Sequence, residues 1–139
     1  MKTIFVAEND VVIGMDLKMT LSNIGYSVLG IASSAAETVR CVKQRKPDIV
    51  VMDVHLSGLQ SGVDAAKEIQ KRDFIPVLFI TGLPGLEIPK TGKRSEANAV
   101  LSKPFSSQEL KAALKALLKL KNNRIHGSEK SKAKDRIKR

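Results

Sequence analysis

Ile49-Val50-Val51-Met52-Asp53 is the stretch that decides the fold. Four apolar residues in a row read as a buried strand. A carboxylate at the end of such a strand sits where α/β folds gather ligands, in the crevice beyond the strand's carboxyl end. Three other apolar runs stop in the same way. Ile4-Phe5-Val6-Ala7 runs into Glu8-Asn9-Asp10, Val77-Leu78-Phe79-Ile80 into Thr81, and Ala99-Val100-Leu101-Ser102 into Lys103-Pro104-Phe105. If the strands are parallel neighbours, an acidic cluster, a lone Asp, a hydroxyl and a Lys meet at one site.

Helical spacing fills the gaps between these runs. After Asp10, Val11, Met15, Met19 and Leu21, with Val12, Leu17 and Ile24, recur at roughly helical spacing, and Gly25 suits the end of this first helix. Residues 26–31 read as another strand. Ser33 or Ser34 caps a helix carrying Val39 and Val42, with Glu37 placed as in a capping box, and Pro47 ends it. Ser61 or Gly62 opens a helix with Val63, Ala66 and Ile69 on one face. Residues 81–98 hold Gly82, Pro84, Gly85, Pro89 and Gly92. Each Pro costs about 3 kcal/mol inside a helix, so the fourth helix is expected to be weak or replaced by a loop, with a turn or two near 91–98. Ser106 or Ser107 caps a last helix whose buried stripe is Leu110, Ala113, Leu114, Leu117 and Leu118, with Lys111, Lys115 and Lys119 facing water. Strand and helix alternate five times, which argues for a doubly wound five-stranded parallel sheet.

A chain of 139 residues fits one domain, since domains commonly hold about 100–200 residues. The hydrophobic fraction of 42% suffices for a sizeable core. The single Cys41 offers no disulfide framework and suggests a reducing, cytoplasmic compartment. Met1-Lys2 leads straight into the first strand with no signal peptide in view, and no apolar run approaches the roughly 20 residues that span a membrane. The net charge of +10 is uneven: residues 121–139 hold eight Lys/Arg and two acidic residues. This basic C-terminal extension has only Ile125 and Ile137 as large aliphatics, so it cannot build a core, and residues 1–120 form the expected domain. The extension is either a solvated continuation of the last helix or a basic arm for an acidic partner. No motif or aromatic in it supports nucleic acid, which is an unlikely partner.

Residues 1–120 resemble the receiver domain of two-component response regulators. In that family the order is an acidic pair, a phosphoacceptor Asp, Thr or Ser, then Lys followed by Pro. Here Glu8-Asn9, Asp53, Thr81 and Lys103-Pro104 stand in that order. The loop from His55 through Gly58 to Gly62 is similar to that of receivers with one extra residue before the helix-opening Gly. Phe79-Ile80-Thr81-Gly82-Leu83-Pro84 is partly similar to the FATGUY motif of one subgroup, where U is a hydrophobic residue; Ile80 replaces the Ala and Pro84 the Tyr.

The resemblance implies a flavodoxin-like strand order 2-1-3-4-5 and a phosphoprotein that takes a phosphoryl group on Asp53 from a histidine kinase or phosphotransfer protein. It implies Mg²⁺ held by Glu8, Asn9, Asp53 and the backbone carbonyl of His55, with Lys103 and Thr81 reading the phosphoryl oxygens. It implies no enzyme in the usual sense: the receiver assists only its own phosphorylation and dephosphorylation, and signals by docking a partner on the face of the fourth and fifth strands and last helix. Because nothing after Leu120 can fold alone, a stand-alone receiver without an output domain is expected. Two departures matter. Asn9 stands where the family usually has Asp, which removes a charge from the metal site, and Val100 stands where many receivers carry a switching aromatic. A phosphorylation-independent pseudo-receiver is therefore the alternative. Residues 82–98 are expected to be the mobile, switching part.

Overall fold

The computed structural model describes residues 1–58, 61–83 and 85–137. Leu59, Gln60 and Pro84 of the motifs above, and Lys138 and Arg139 of the extension, lie outside the described residues. The elements run β1 (Thr3–Ala7), α1 (Val11–Asn23), β2 (Ser27–Ala32), α2 (Ala35–Arg45), β3 (Ile49–Asp53), α3 (Gly62–Ile69), β4 (Val77–Thr81), a 3-10 turn (Ser95–Ala97), β5 (Asn98–Ser102) and α4 (Ser107–Ile137). The sheet is parallel throughout, in the order β2-β1-β3-β4-β5.

Alternating side chains build two cores from one sheet. Phe5, Ala7, Val50, Met52, Val77 and Phe79 point to the side covered by α2 and α3. Ile4, Val6, Ile49, Val51, Leu78 and Ile80 point to the other, where Leu17 and Leu21 of α1 meet Leu110, Leu114 and Leu117 of α4. Both faces are dry, which is why the strands read as unbroken apolar runs.

Short polar caps fix where the helices start. The Asp10 carboxylate accepts from the N–H groups of Val12 (2.9 Å) and Ile13 (3.2 Å). Ser34 accepts from Glu37 N–H at 3.2 Å, without a return bond from Glu37 among the described residues, so only half of the expected capping box forms. Complete boxes form instead at Ser61–Asp64 and Ser106–Glu109.

Two features go beyond the reading of the sequence. The first helix buries Gly14, Leu17 and Leu21, whereas Val11, Val12, Met15 and Met19 are 72%, 76%, 61% and 66% exposed. The cause is Gly14. Its missing side chain lets α1 approach Ile31 and Glu8 closely, and a Cβ there would sit 3.2 Å from the Ile31 side chain. That contact turns the 14-17-21 stripe inward and the Val/Met stripe outward. Residues 82–98 are not uniformly loose either. Leu83, Leu86 and Ile88 are exposed, but Thr91 and Asn98 are buried in a hydrogen-bond network with Gln70 at the end of α3. The segment is helix-poor, as its composition demands, yet its second half is fastened to the body.

The last helix crosses position 120 without a break. Lys121 lies 3.6 Å from Asp48, and Arg124 lies 2.6 Å from Glu96 while stacking over Phe74.

Gly62 tests how tightly α3 is set against the end of β3. A Cβ at Gly62 would stand 2.2 Å from the Asp53 carbonyl oxygen. Gly62→Ala is expected to destabilise the fold by roughly 1–3 kcal/mol in urea denaturation, as overpacking does. Gly82→Ala, with open space around it, should shift stability by less than about 0.5 kcal/mol. Equal effects at the two positions would contradict the packing described.

Candidate functional site

Strand register brings the candidate residues together. Ala7 pairs with Met52, Asp53 with Ile80, and Thr81 with Ser102. Glu8 and Asp53 therefore end neighbouring strands on one level, with Thr81 one residue and Lys103 two residues beyond it, and adjacent strands lie only about 4.8 Å apart. Lys103 continues the ladder, its N–H donating to the Thr81 carbonyl at 2.8 Å.

The Lys103 ammonium is 3.7 Å from Glu8 Oε2 and 3.7 Å from Asp53 Oδ2. It bridges the two carboxylates at salt-bridge range without closing a hydrogen bond to either. Asp53 Oδ1 accepts from the His55 N–H at 2.9 Å, so one oxygen is held by the backbone while the other faces Lys103. Thr81 Oγ1 accepts from Leu83 N–H at 3.0 Å, and its own proton makes no hydrogen bond among the described residues. Lys103–Pro104 is a cis peptide.

Glu8 is the strained partner. Burial pushes its carboxyl above the usual carboxylate range, and Asp53 adds to the rise; the Asp10 N–H and the Lys103 ammonium pull the other way. Glu8 Oε1 accepts from Asp10 N–H at 3.2 Å, while Oε2 is buried with no hydrogen-bond partner among the described residues. An orphaned, buried carboxylate oxygen beside a second carboxylate fits a hard cation, which takes oxygen ligands. Asn9 is exposed, and Asp10 is occupied as the α1 cap. Among the described residues no three His, Cys, Asp or Glu side chains are grouped to hold a metal. The site therefore offers two carboxylates, one fewer than an Asp in place of Asn9 would give.

Sequence reasoning missed the apolar surface beside this site. Val11, Val12 and Met15 lie at the start of α1, directly after Asp10. A shallow pocket between α1 and the segment after β5, lined by Ile13, Leu17, Lys103 and Phe105, adjoins it. The buried Gly14 was the available signal. His55 is exposed, and Val100 is half-buried against the α2/α3 core.

A parallel 2-1-3-4-5 sheet with carboxylates, a hydroxyl and a Lys at its carboxyl edge defines the receiver class of α/β fold, and the family model agrees. The response regulator receiver domain matches residues 4–115, and the chain belongs to that family. It is 33% identical over 113 residues to the transcriptional regulatory protein PdtaR of Mycobacterium tuberculosis, covering 81% of this chain and 55% of that one. It is 32% identical to the phyllosphere-induced regulator PhyR of Methylorubrum extorquens, over 83% of this chain and 43% of that one. Among solved structures, the anti-anti-sigma factor PhyR from Bartonella quintana superposes with a TM-score of 0.79 at 29% identity, covering 91% of this chain and 51% of that one. The receiver domain of a modulated diguanylate cyclase from Desulfovibrio desulfuricans gives 0.76 at 26% identity, covering 89% and 98%. The chain spans about half the length of the curated relatives it matches. These matches speak to the family and not to the FATGUY subgroup within it. No helix among the described residues is long and apolar enough to cross a membrane.

The raised Glu8 carboxyl has a consequence for stability. Above about 4.5, its ordinary value, the unfolded chain has released the Glu8 proton while the folded chain still holds it. Folding stability from this group is then lost as pH rises through the folded value. In a divalent-cation chelator, Glu8→Gln should be more stable than the native chain at pH 7, and the gap should close toward pH 4. Urea denaturation across that range checks it; a variant less stable at pH 7, or a gap independent of pH, contradicts the charge balance described.

Proposed function

We propose that this chain accepts a phosphoryl group on Asp53 from a phosphohistidine and signals by docking a second protein. The observation that carries the reading is the Lys103 ammonium, 3.7 Å from both Glu8 Oε2 and Asp53 Oδ2. An Asp53 oxygen attacks phosphorus, the P–N bond of the donor breaks, and its imidazole leaves with the electron pair, so an acyl phosphate forms. Lys103 then pairs with the new phosphoryl oxygens, and Thr81 donates its unused proton to them. Both act by position and charge. Mg²⁺ held by Glu8, Asn9, Asp53 and the His55 carbonyl would neutralise the repulsion between carboxylate and phosphoryl oxygens.

Docking rests on two exposed apolar groups. Val11, Val12, Met15 and Met19 of α1 border the site and suit a phosphodonor's helical face. Leu83, Leu86 and Ile88 follow Thr81 on the edge that leads to β5 and α4. Thr81 is tied to Leu83 through the Leu83 N–H, so movement of the hydroxyl toward a phosphoryl group reaches this second group first. The downstream partner would sit there, with Lys111 and Lys115 at its margin. Protein-docking output suits a chain related to an anti-anti-sigma factor and to a transcriptional regulatory protein. Such a module turns over no substrate beyond its own phosphoryl group.

Asn9 gives the competing pseudo-receiver reading its one support, and a single experiment separates the two. Intact mass after incubation with acetyl phosphate should show one added phosphoryl group, dependent on Mg²⁺. Asn9→Asp should lower the Mg²⁺ needed for half-maximal labelling by on the order of tenfold, since a carboxylate near a divalent cation is worth on the order of 1–4 kcal/mol per unit charge before desolvation. Absence of labelling at every Mg²⁺ concentration, in the native chain and in Asn9→Asp alike, would establish the pseudo-receiver instead.

A further inference from the structure

At the opposite end of the sheet lies a cleft that the phosphoryl site does not use. It has a volume of about 680 Å³ and lies between the end of α3, residues 90–94 and α4. Its walls carry Lys67, Lys71, Lys90, Lys93, Arg94 and Arg124, and among the described residues no acidic side chain lines it. Asn98, at its floor network, opens β5, whereas Ser102 at the other end of that strand pairs with Thr81. Four residues of strand place the cleft about 13 Å from the level of the phosphoryl site.

The charge is spent internally only in part. Lys71 is paired with Glu68 at 2.7 Å and Arg124 with Glu96 at 2.6 Å. Lys67, Lys90 and Lys93 form no ion pair among the described residues. Folding holds Lys67, Lys90 and Lys93 together through the hydrogen-bonded floor. The buried Gln70 amide donates to the carbonyl of Ile75 and to Asn98 Oδ1, each at 2.9 Å. Asn98 donates to Thr91 Oγ1 at 2.9 Å and to the Pro89 carbonyl at 3.0 Å, and Thr91 donates to Gln70 Oε1 at 2.5 Å. Arg94 donates to the Gln70 carbonyl at 2.5 Å. This network fixes residues 89–98 against α3, so Lys90 and Lys93 stand opposite Lys67 before any ligand arrives. Binding then needs little backbone ordering, and the cost that remains is that of the exposed lysine side chains.

We propose that this cleft binds a small molecule bearing a chain of phosphates, an inorganic polyphosphate or a nucleoside polyphosphate. Its volume falls within the roughly 300–1,000 Å³ typical of small-molecule sites and exceeds what one phosphate fills. Three unpaired ammonium groups match several phosphate charges and form strong charge-assisted hydrogen bonds. A nucleic-acid strand fits less well: stacking of successive bases needs several aromatic faces, and the one ring beside the cleft among the described residues, Phe74, already has the Arg124 guanidinium over it at 5.2 Å. The inference does not depend on phosphorylation of Asp53.

Calorimetric titration of the full chain at physiological salt, without divalent cations, tests it. The probes are inorganic tripolyphosphate, ATP, orthophosphate and a short polyglutamate peptide. One saturable site for tripolyphosphate is expected, with orthophosphate weaker by roughly tenfold or more. Equal affinity for tripolyphosphate and ATP marks recognition of the phosphate chain alone; tighter ATP marks a nucleotide source. Lys67→Ala with Lys93→Ala, both exposed and unpaired, should weaken tripolyphosphate by on the order of tenfold, and the charge-matched control Lys115→Ala with Lys119→Ala by less than about twofold. Equal losses in the two double variants would show a response to net charge and overturn the proposal. So would orthophosphate binding as tightly as tripolyphosphate, absence of saturable binding, or saturation by polyglutamate alone.

Discussion

One ammonium group between two carboxylates organises the site. Glu8 and Asp53 close β1 and β3, which lie side by side, so their charges are forced together at the edge of a dry core. Without Lys103 both would be held in mutual repulsion with little water to screen them. With it the pair is balanced only in part: the ammonium stands 3.7 Å from each, and one Glu8 oxygen stays unpartnered. Folding energy from the rest of the chain maintains this imbalance. A site that is incompletely satisfied at rest favours a ligand that completes it, and on the proposed reading that ligand is a cation followed by a phosphoryl group.

The sheet makes the imbalance affordable. Four five-residue parallel strands, buried at the centre of the sheet and half-buried at β5, deliver the four side chains to one edge, with Thr81 one residue and Lys103 two residues beyond the level of Glu8 and Asp53. Gly62 lets α3 begin hard against the Asp53 carbonyl, and Gly14 lets α1 settle against Glu8 and Ile31. The same close packing leaves the Val/Met stripe of α1 facing outward at the start of the helix that follows Glu8.

Asp53, Thr81 and Lys103 were legible because each follows an apolar run, and such runs joined by helices favour parallel neighbours. Their convergence follows from strand period and strand order alone. The orientation of α1 was not legible. Val11-Met15-Met19 and Gly14-Leu17-Leu21 are both helical stripes, and hydrophobicity favours the wrong one; the choice is made by a glycine, which carries no hydrophobic weight. Residues 82–98 were legible as helix-poor from their prolines and glycines. Their fastening was not, because Gln70, Thr91 and Asn98 are polar and pattern places polar residues at the surface. The cationic cleft was hidden for another reason: Lys67, Lys90 and Arg124 come from distant segments that only the fold assembles.

The central claim is that Asp53 is the acceptor in this charge arrangement, and its most direct test is chemical. An acyl phosphate on aspartate is reduced by borohydride to homoserine, which marks the modified position permanently. The chain is treated with acetyl phosphate and Mg²⁺, reduced, digested and sequenced by tandem mass spectrometry. Homoserine at position 53, and at no other aspartate, is the expected result. Homoserine at Asp10 or Asp48, or none at position 53 in a chain that has gained a phosphoryl group, would contradict it.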